Sequence, residues 1–374
     1  MAASLTSMAQ SFQGRTLEAA IGTHDNGFNL VRLVCALAVV VYHTWMMNVA
    51  EPMRDPITRF LTPNTDLGAV AVGVFFVISG MFIARSWMGD PQLGRFAARR
   101  VARIVPGLFA CLLVTTVVAV AFFSAPGWRG LLESAPWRYI FGNTVLHGLV
   151  YHIPPEHLRI EGVLGGQPLN GPLWTLYWEG RMYVMVALIG VAAALPLRTW
   201  MRGVALFLLL AANVYPEVVS GYVWETRMWS LFLTGMVLQT MAPEVRIGWR
   251  HVACAVALVL LNWTRSADQT PSPLTWFGIA LVAVTLALCV GSARLPRWAA
   301  HVQRHDYSYG IYIWHWPVIV MLREVLPPMG PKRLTVVSLA VVIPLAMLSW
   351  HLVERPAMRA VRRWLERGSA KVVA

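Results

Sequence analysis

Residues 28–45 read F-N-L-V-R-L-V-C-A-L-A-V-V-V-Y-H-T-W, and this stretch decides the fold class. A run of this length and apolarity suits a helix that crosses the hydrocarbon core of a bilayer. It also carries two ionisable groups, Arg32 near its start and His43 near its end. They are 11 positions apart. That is about three turns, so both lie on nearly one face, roughly 16 Å apart along the axis. Ionisable side chains within a spanning helix are costly and point to function. The alternative is anchoring, with Arg32 snorkelling to one interface and His43 lying in the other.

The rest of the chain repeats the theme. Charged residues make up 13% of the 374 and hydrophobic residues 57%, too few charges to cover a soluble protein of this size. The fold expected is an all-α integral membrane protein of about ten transmembrane helices. The spans are placed at 28–49, 68–87, 104–124, 171–195, 203–219, 223–241, 251–263, 273–291, 307–326 and 334–353. Residues 1–27 form a polar tail on the side of synthesis, and 355–374 a basic tail. An even number of spans puts both termini in the cytoplasm. The Lys and Arg count agrees: 19 of 31 fall in inside segments or at the inner ends of spans and 10 outside or at the outer ends, with Arg32 and Arg181 counted within spans. The net charge of +13 therefore reads as topology and not as nucleic-acid binding. Cys35, Cys111, Cys254 and Cys289 all sit in apolar runs without paired spacing. They read as small buried hydrophobes, with no metal site.

The longest outside connection, about 125–170, is rich in Pro, Gly and aromatic residues, and holds His147, His152 and His157. A connection this long is usually functional or carries secondary structure of its own. Its aromatic residues fit either sugar stacking or an interfacial belt.

Three further places hold groups at odds with a membrane. R-R-V-A-R-I-V-P, residues 99–106, puts Arg100 and Arg103 on one helix face, a ready phosphate site or a set of anchors at the inner mouth. N-G-P-L-W-T-L-Y-W-E-G-R-M-Y, residues 170–183, embeds Glu179 and Arg181 among aromatic side chains. Two residues apart, they cannot face each other on a helix. Y-S-Y-G-I-Y-I-W-H-W-P, residues 307–317, places His315 among Tyr312, Trp314 and Trp316, either near a substrate or as a packing histidine bonded to a carbonyl.

Together these segments resemble the acyltransferase 3 family of membrane O-acyltransferases. The matching pieces are the Arg32/His43 pair, G-V-F-F-V-I-S-G at 73–80, R-R-x-x-R-I-x-P at 99–106, G-P-L-W-T-L-Y-W-E at 171–179, the 307–317 segment and L-V-E-R-P at 352–356. They occur in family order over nearly the whole chain. Where the family often reads S-V-E-E-Q-F-Y, this chain has Y-W-E-G-R-M-Y. Glu179 keeps the first acidic position, and Arg181 takes no family role.

The resemblance implies transfer of an acyl group, commonly acetyl, from cytosolic acyl-CoA to a hydroxyl of a carbohydrate or glycolipid acceptor in the cell membrane. No cofactor is implied as permanently bound. Arg100 and Arg103 would hold CoA phosphates, and Arg32 a further anionic part of the donor. His43 would be the general base or accept the acyl group itself, and Glu179 would orient His43 or the acceptor. Trp174, Tyr177 and His315 are candidates for the acceptor side. A transporter or flippase, or a succinyl or longer-chain acyltransferase, remains the alternative.

Overall fold

The structure is a computed structural model and describes residues 16–23, 26–47, 66–149, 155–214, 223–246, 248–265, 273–296 and 299–373. The first 15 residues and His24, Asp25, Arg54, Arg59 and His152 lie outside the described residues. In chain order the helices are α1 (Leu17–Ile21), α2 (Phe28–Met46), α3 (Leu67–Gly89), α4 (Leu93–Phe123), α5 (Ser134–Thr144), α6 (Leu173–Val191) and α7 (Leu197–Val214). They continue with α8 (Val223–Thr240), α9 (Trp249–Arg265), α10 (Pro273–Ser292), α11 (Ala300–Arg304), α12 (Ser308–Val325), α13 (Pro331–Ser349) and α14 (Arg355–Val373). A π-helical turn, Trp350–Glu354, joins the last two. No strand occurs among the described residues, only an isolated bridge between Ser124 and Val163.

The chain is an all-α membrane protein. Each of the ten expected spans coincides with a helix. Phe28–Met46, Leu67–Gly89, Leu93–Phe123 and the run Pro331–Arg367 are long and apolar enough to cross a membrane. Phe207 and Leu210 on α7, and Leu258 and Leu260 on α9, are exposed, as side chains facing lipid would be.

The helix of the third expected span, α4, starts at Leu93, about ten residues before that span, because Pro91 stands just ahead of it and the arginines that follow are good helix formers. The basic tail after residue 354 is helical. Cys254 also departs from expectation and is exposed, whereas the other three cysteines are buried. On α9 the buried stripe runs through Val252 and Ala255, and Cys254 lies off it.

The chain divides into two compact units, residues 1–89 with 189–308, and 90–188 with 309–374. In the first unit α3 packs extensively on α8, and α2 and α10 pack on α3 and on each other. The α3–α8 contact depends on backbone approach. A Cβ on Gly80 would lie 2.1 Å from the Phe232 carbonyl oxygen, and one on Gly235 would lie 2.1 Å from that of Val77. Small residues at a crossing let membrane helices gain contact where the hydrophobic effect gives no drive. Asp66 starts α3 by accepting from the Ala69 amide at 2.6 Å.

In the second unit α4 is the spine. It packs against α5, α14 and the π turn. The 125–170 connection has the secondary structure its length called for: a 3-10 turn at Gly127–Leu132, then α5, then short turns. The Ser124–Val163 bridge and a bond from the Leu169 amide to the Leu158 carbonyl, 2.8 Å, close its base.

Gly80→Ala or Gly235→Ala drives a methyl group into a carbonyl oxygen. Each is expected to cost about 1–3 kcal/mol, the usual penalty of overpacking. Gly203→Ala, where a Cβ meets nothing within 4 Å, is expected to be neutral or stabilising by about 0.5–1 kcal/mol. Unfolding in detergent, followed by tryptophan fluorescence, checks the contrast.

Candidate active site

Arg32 and His43 lie in the first unit, on α2. The helix begins under a clamp. The Asn29 side chain donates to the Gln303 carbonyl at 2.8 Å, and the Gln303 side chain donates to the Asn26 carbonyl at 3.1 Å. One turn on, Arg32 meets the carboxylate of Asp306 at 2.8 Å, with the two side chains 26% and 11% exposed. Asp306 also accepts from the amide and the hydroxyl of Ser308, the first residue of α12. This Asx turn fixes the carboxylate before Arg32 reaches it. The Arg32 charge is therefore matched at the start of the helix.

His43 sits in the last turn of α2, half-buried. Its ring lies 5.0 Å from that of Tyr42. Tyr42 in turn occupies the space beside Gly68, where a Cβ would come within 2.4 Å of its ring. The end of α2 that carries His43 is thus held by the start of α3.

Arg100, Arg103, Glu179, Trp174, Tyr177 and His315 lie in the second unit. The arginines at the start of α4 divide between two faces. Arg95 and Arg99 both reach Asp90, at 2.8 and 2.7 Å. Their bonds, that of Arg99 foremost, hold the Asp90 carboxyl below its usual pKa. Arg100 and Arg103 turn elsewhere. The Arg100 guanidinium lies over the rings of Phe96 and Tyr183, 5.8 Å from each centroid. It is also within electrostatic reach of Glu179. The Tyr183 hydroxyl donates to Glu179, one turn earlier on α6. Arg181 points away and covers Trp178 at 4.8 Å. Arg100, Tyr183 and Glu179 therefore form one cluster.

Arg103 forms the second cluster. It lies over Tyr309 and Trp350, at 5.4 and 5.7 Å, and 3.5 Å from the carboxylate of Glu354. Glu354 is 1% exposed and also accepts from the Ser349 hydroxyl at 2.8 Å. The π turn brings it there. One residue more than an α-helical turn rotates Glu354 inward, a device that recurs at functional sites. Gly107 leaves it room, since a Cβ there would meet the side chains of Glu354 and Tyr309 at 3.0 Å.

The 171–179 and 307–317 segments meet within the same unit. Asn170 donates to the Ile313 carbonyl at 2.9 Å, Thr175 and Tyr312 share a bond of 2.6 Å, and the Trp316 indole donates to the Pro168 carbonyl at 2.9 Å. Here His315 is fully buried, with Nδ1 2.6 Å from the Tyr312 carbonyl. That is the packing arrangement of a histidine, and no ligand is needed to explain it. Tyr177 is buried and Trp174 half-buried. Among the described residues no group of three or more His, Cys, Asp or Glu side chains gathers to hold a metal ion.

Asp306 and Glu354 are the site residues that sequence reasoning passed over. Asp306 stands just before the Y-S-Y-G segment, and Glu354 is the acidic residue of L-V-E-R-P. With only 18 acidic residues in the chain, those beside apolar helices were the signal available.

Comparison with known proteins agrees with the sequence motifs. The profile of an acyltransferase domain matches residues 25–351. Nodulation protein 10 of Rhizobium leguminosarum bv. viciae is 26% identical, over 90% of this chain and 94% of its own length. The O-acetyl transferase of Shigella phage Sf6 is 28% identical, over 93% of this chain and 98% of its own length. The peptidoglycan O-acetyltransferase OatA of Listeria monocytogenes is 24% identical, over 77% of this chain and 51% of its own length. No solved structure matches.

A double-mutant cycle on Arg32→Gln and Asp306→Asn measures the clamp on α2. The pair is largely shielded, so a coupling of about 1–3 kcal/mol is expected, against about 0.2–1 kcal/mol for exposed pairs. A coupling near zero would show that Asp306 does not hold Arg32.

Proposed function

Because the chain belongs to the acyltransferase 3 family, it is an acyltransferase, and we propose that it moves an acyl group, acetyl in the simplest case, from cytosolic acyl-CoA to a hydroxyl of a cell-surface carbohydrate or glycolipid. The single observation that carries this reading is the family match, whose span takes in Arg32, His43, Arg100, Arg103 and Glu179. The relative from Listeria bears the name of an enzyme acting on peptidoglycan, a carbohydrate polymer of the cell surface.

The proposed topology has all ten helices crossing the cell membrane and both termini in the cytoplasm. The distribution of Lys and Arg supports it. The arginine-rich start of α4 then faces the cytosol, where acyl-CoA is, and His43 lies toward the outside. Arg100 and Arg103 hold donor phosphates. The aromatic rings and carboxylates beside these two arginines hold the guanidiniums in place. Arg32, held by Asp306, sets the inner end of α2 and adds positive potential on the donor side.

His43 is the general base. Its imidazole takes the proton of the acceptor hydroxyl as the oxygen attacks the thioester carbonyl. The carbon–sulfur bond breaks, and the CoA thiolate leaves and takes up a proton. The products are an ester and free CoA. Transfer through an acyl group carried on His43 is the second route, and a trapped acyl-histidine distinguishes it. Glu179, bonded to Tyr183 and attracted to Arg100, keeps the donor cluster in place.

His43→Ala protein that is made and inserted normally is expected to lose about 10²–10⁴-fold in acyl transfer, the usual worth of a general base. Wild-type acylation of surface carbohydrate by this variant, measured by mass spectrometry, would sink the catalytic role. The Arg100→Ala/Arg103→Ala double variant is expected to bind acetyl-CoA weakly, and unchanged affinity would remove the donor site.

A further inference from the structure

The connection between α4 and α6 holds a polar cluster that the arginines and His43 leave unused. His147 and His157 lie face to face, with ring centroids 4.1 Å apart and planes 7° apart. The ring of Tyr177, on α6, lies 6.0 Å from His147 at 23°. Asn143, on α5, donates to the Tyr139 carbonyl at 2.8 Å and to the His157 carbonyl at 2.9 Å, which fixes the second histidine.

Four polar atoms here are buried and meet no hydrogen-bonding group among the described residues. They are Nε2 of His147, Nδ1 of His157, the Tyr177 hydroxyl and Oδ1 of Asn143. Buried polar atoms are almost always matched, so four in one cluster require an explanation. The backbone is also shaped around them. Leu146 and His147 both take positive φ, 49° and 42°, a conformation that non-glycine residues rarely adopt. A side chain at Gly142 would strike the His147 ring at 2.6 Å. Strain of this kind persists where a site requires it.

The chemistry of the cluster narrows what it takes. Burial first, and then the neighbouring His157, hold the His147 imidazole below the ordinary histidine pKa. A neutral imidazole offers one donor and one acceptor, a phenol offers both, and a carboxamide oxygen accepts. Such a set suits an uncharged ligand carrying several hydroxyls, and it has no counter-charge for an anion. Flat rings beside it suit the face of a sugar.

We infer that His147, His157, Tyr177 and Asn143 form a recognition site for the hydroxyls of a neutral carbohydrate acceptor. This rests on the acyl-transfer reading above. It adds a binding site that the sequence motifs do not contain apart from Tyr177. The four side chains bind and orient the acceptor, and no bond is made or broken at them.

The test uses a strain deleted for the gene and complemented with wild type, His147→Ala, His157→Ala or Tyr177→Phe. The last removes only an oxygen that makes no bond within the described residues, so folding is retained. Two quantities are read: the O-acyl content of total surface carbohydrate by mass spectrometry, and the affinity of each purified protein for acetyl-CoA. The expected result is a fall of about tenfold or more in acylation, the size of one lost hydrogen bond, at unchanged acetyl-CoA affinity. Wild-type acylation in all three variants overturns the site. An equal loss of acetyl-CoA affinity also overturns it, by making the cluster a structural support. If the wild-type gene itself adds no acyl group to surface carbohydrate, the acceptor reading falls and this site falls with it.

Discussion

A carboxylate or guanidinium among apolar helices persists only against a partner, because the desolvation it suffers has to be offset by a nearby opposite charge. Two such pairs organise this protein. Arg32 and Asp306 fix the start of the first long helix in one unit. Arg103 and Glu354 tie α4 to the turn between α13 and α14 in the other. In each case the acidic member is the more buried and is oriented by a neighbouring hydroxyl, from Ser308 or Ser349. The arginine is then received by a carboxylate already in place.

Much of the fold was legible because the bilayer imposes a strict length. Each apolar run lies in a helix among the described residues, and four of these helices are long and apolar enough to cross a membrane; at α4 helix-forming arginines extend the start. The arginines of the site were legible for the same reason: in a chain with few charges they stand out. Their partners were not. Asp306 and Arg32 are 274 positions apart, and no periodicity links them. Glu354 was hidden for a second reason, since a π turn changes which face a residue occupies and α-helical arithmetic then gives the wrong direction. The histidine cluster of the 125–170 connection depends on loop closure and left-handed backbone, neither of which shows as a pattern in sequence.

The motif residues also divide into kinds. Gly73 and Gly80 of the 73–80 segment face α8 and act by being small. Trp316 seals the segment before α6, and Tyr309 bonds the Ile104 carbonyl of α4 at 2.8 Å. His315 is locked to its own helix. Residues that mark the family in sequence are in good part those that hold its helices at close range. Arg103 is held in the same way, over Tyr309 and Trp350 and against Glu354.

The π turn at Trp350–Glu354 has a consequence for how this segment can change over generations. It is a helix with one residue too many, and the surplus aims Glu354 at Arg103. Losing a single residue upstream would turn everything beyond it by about 100°. Replacing a side chain leaves that register intact, whereas a one-residue deletion does not. A one-residue insertion or deletion here would therefore part Glu354 from Arg103, where a substitution on the outer side of the turn would not.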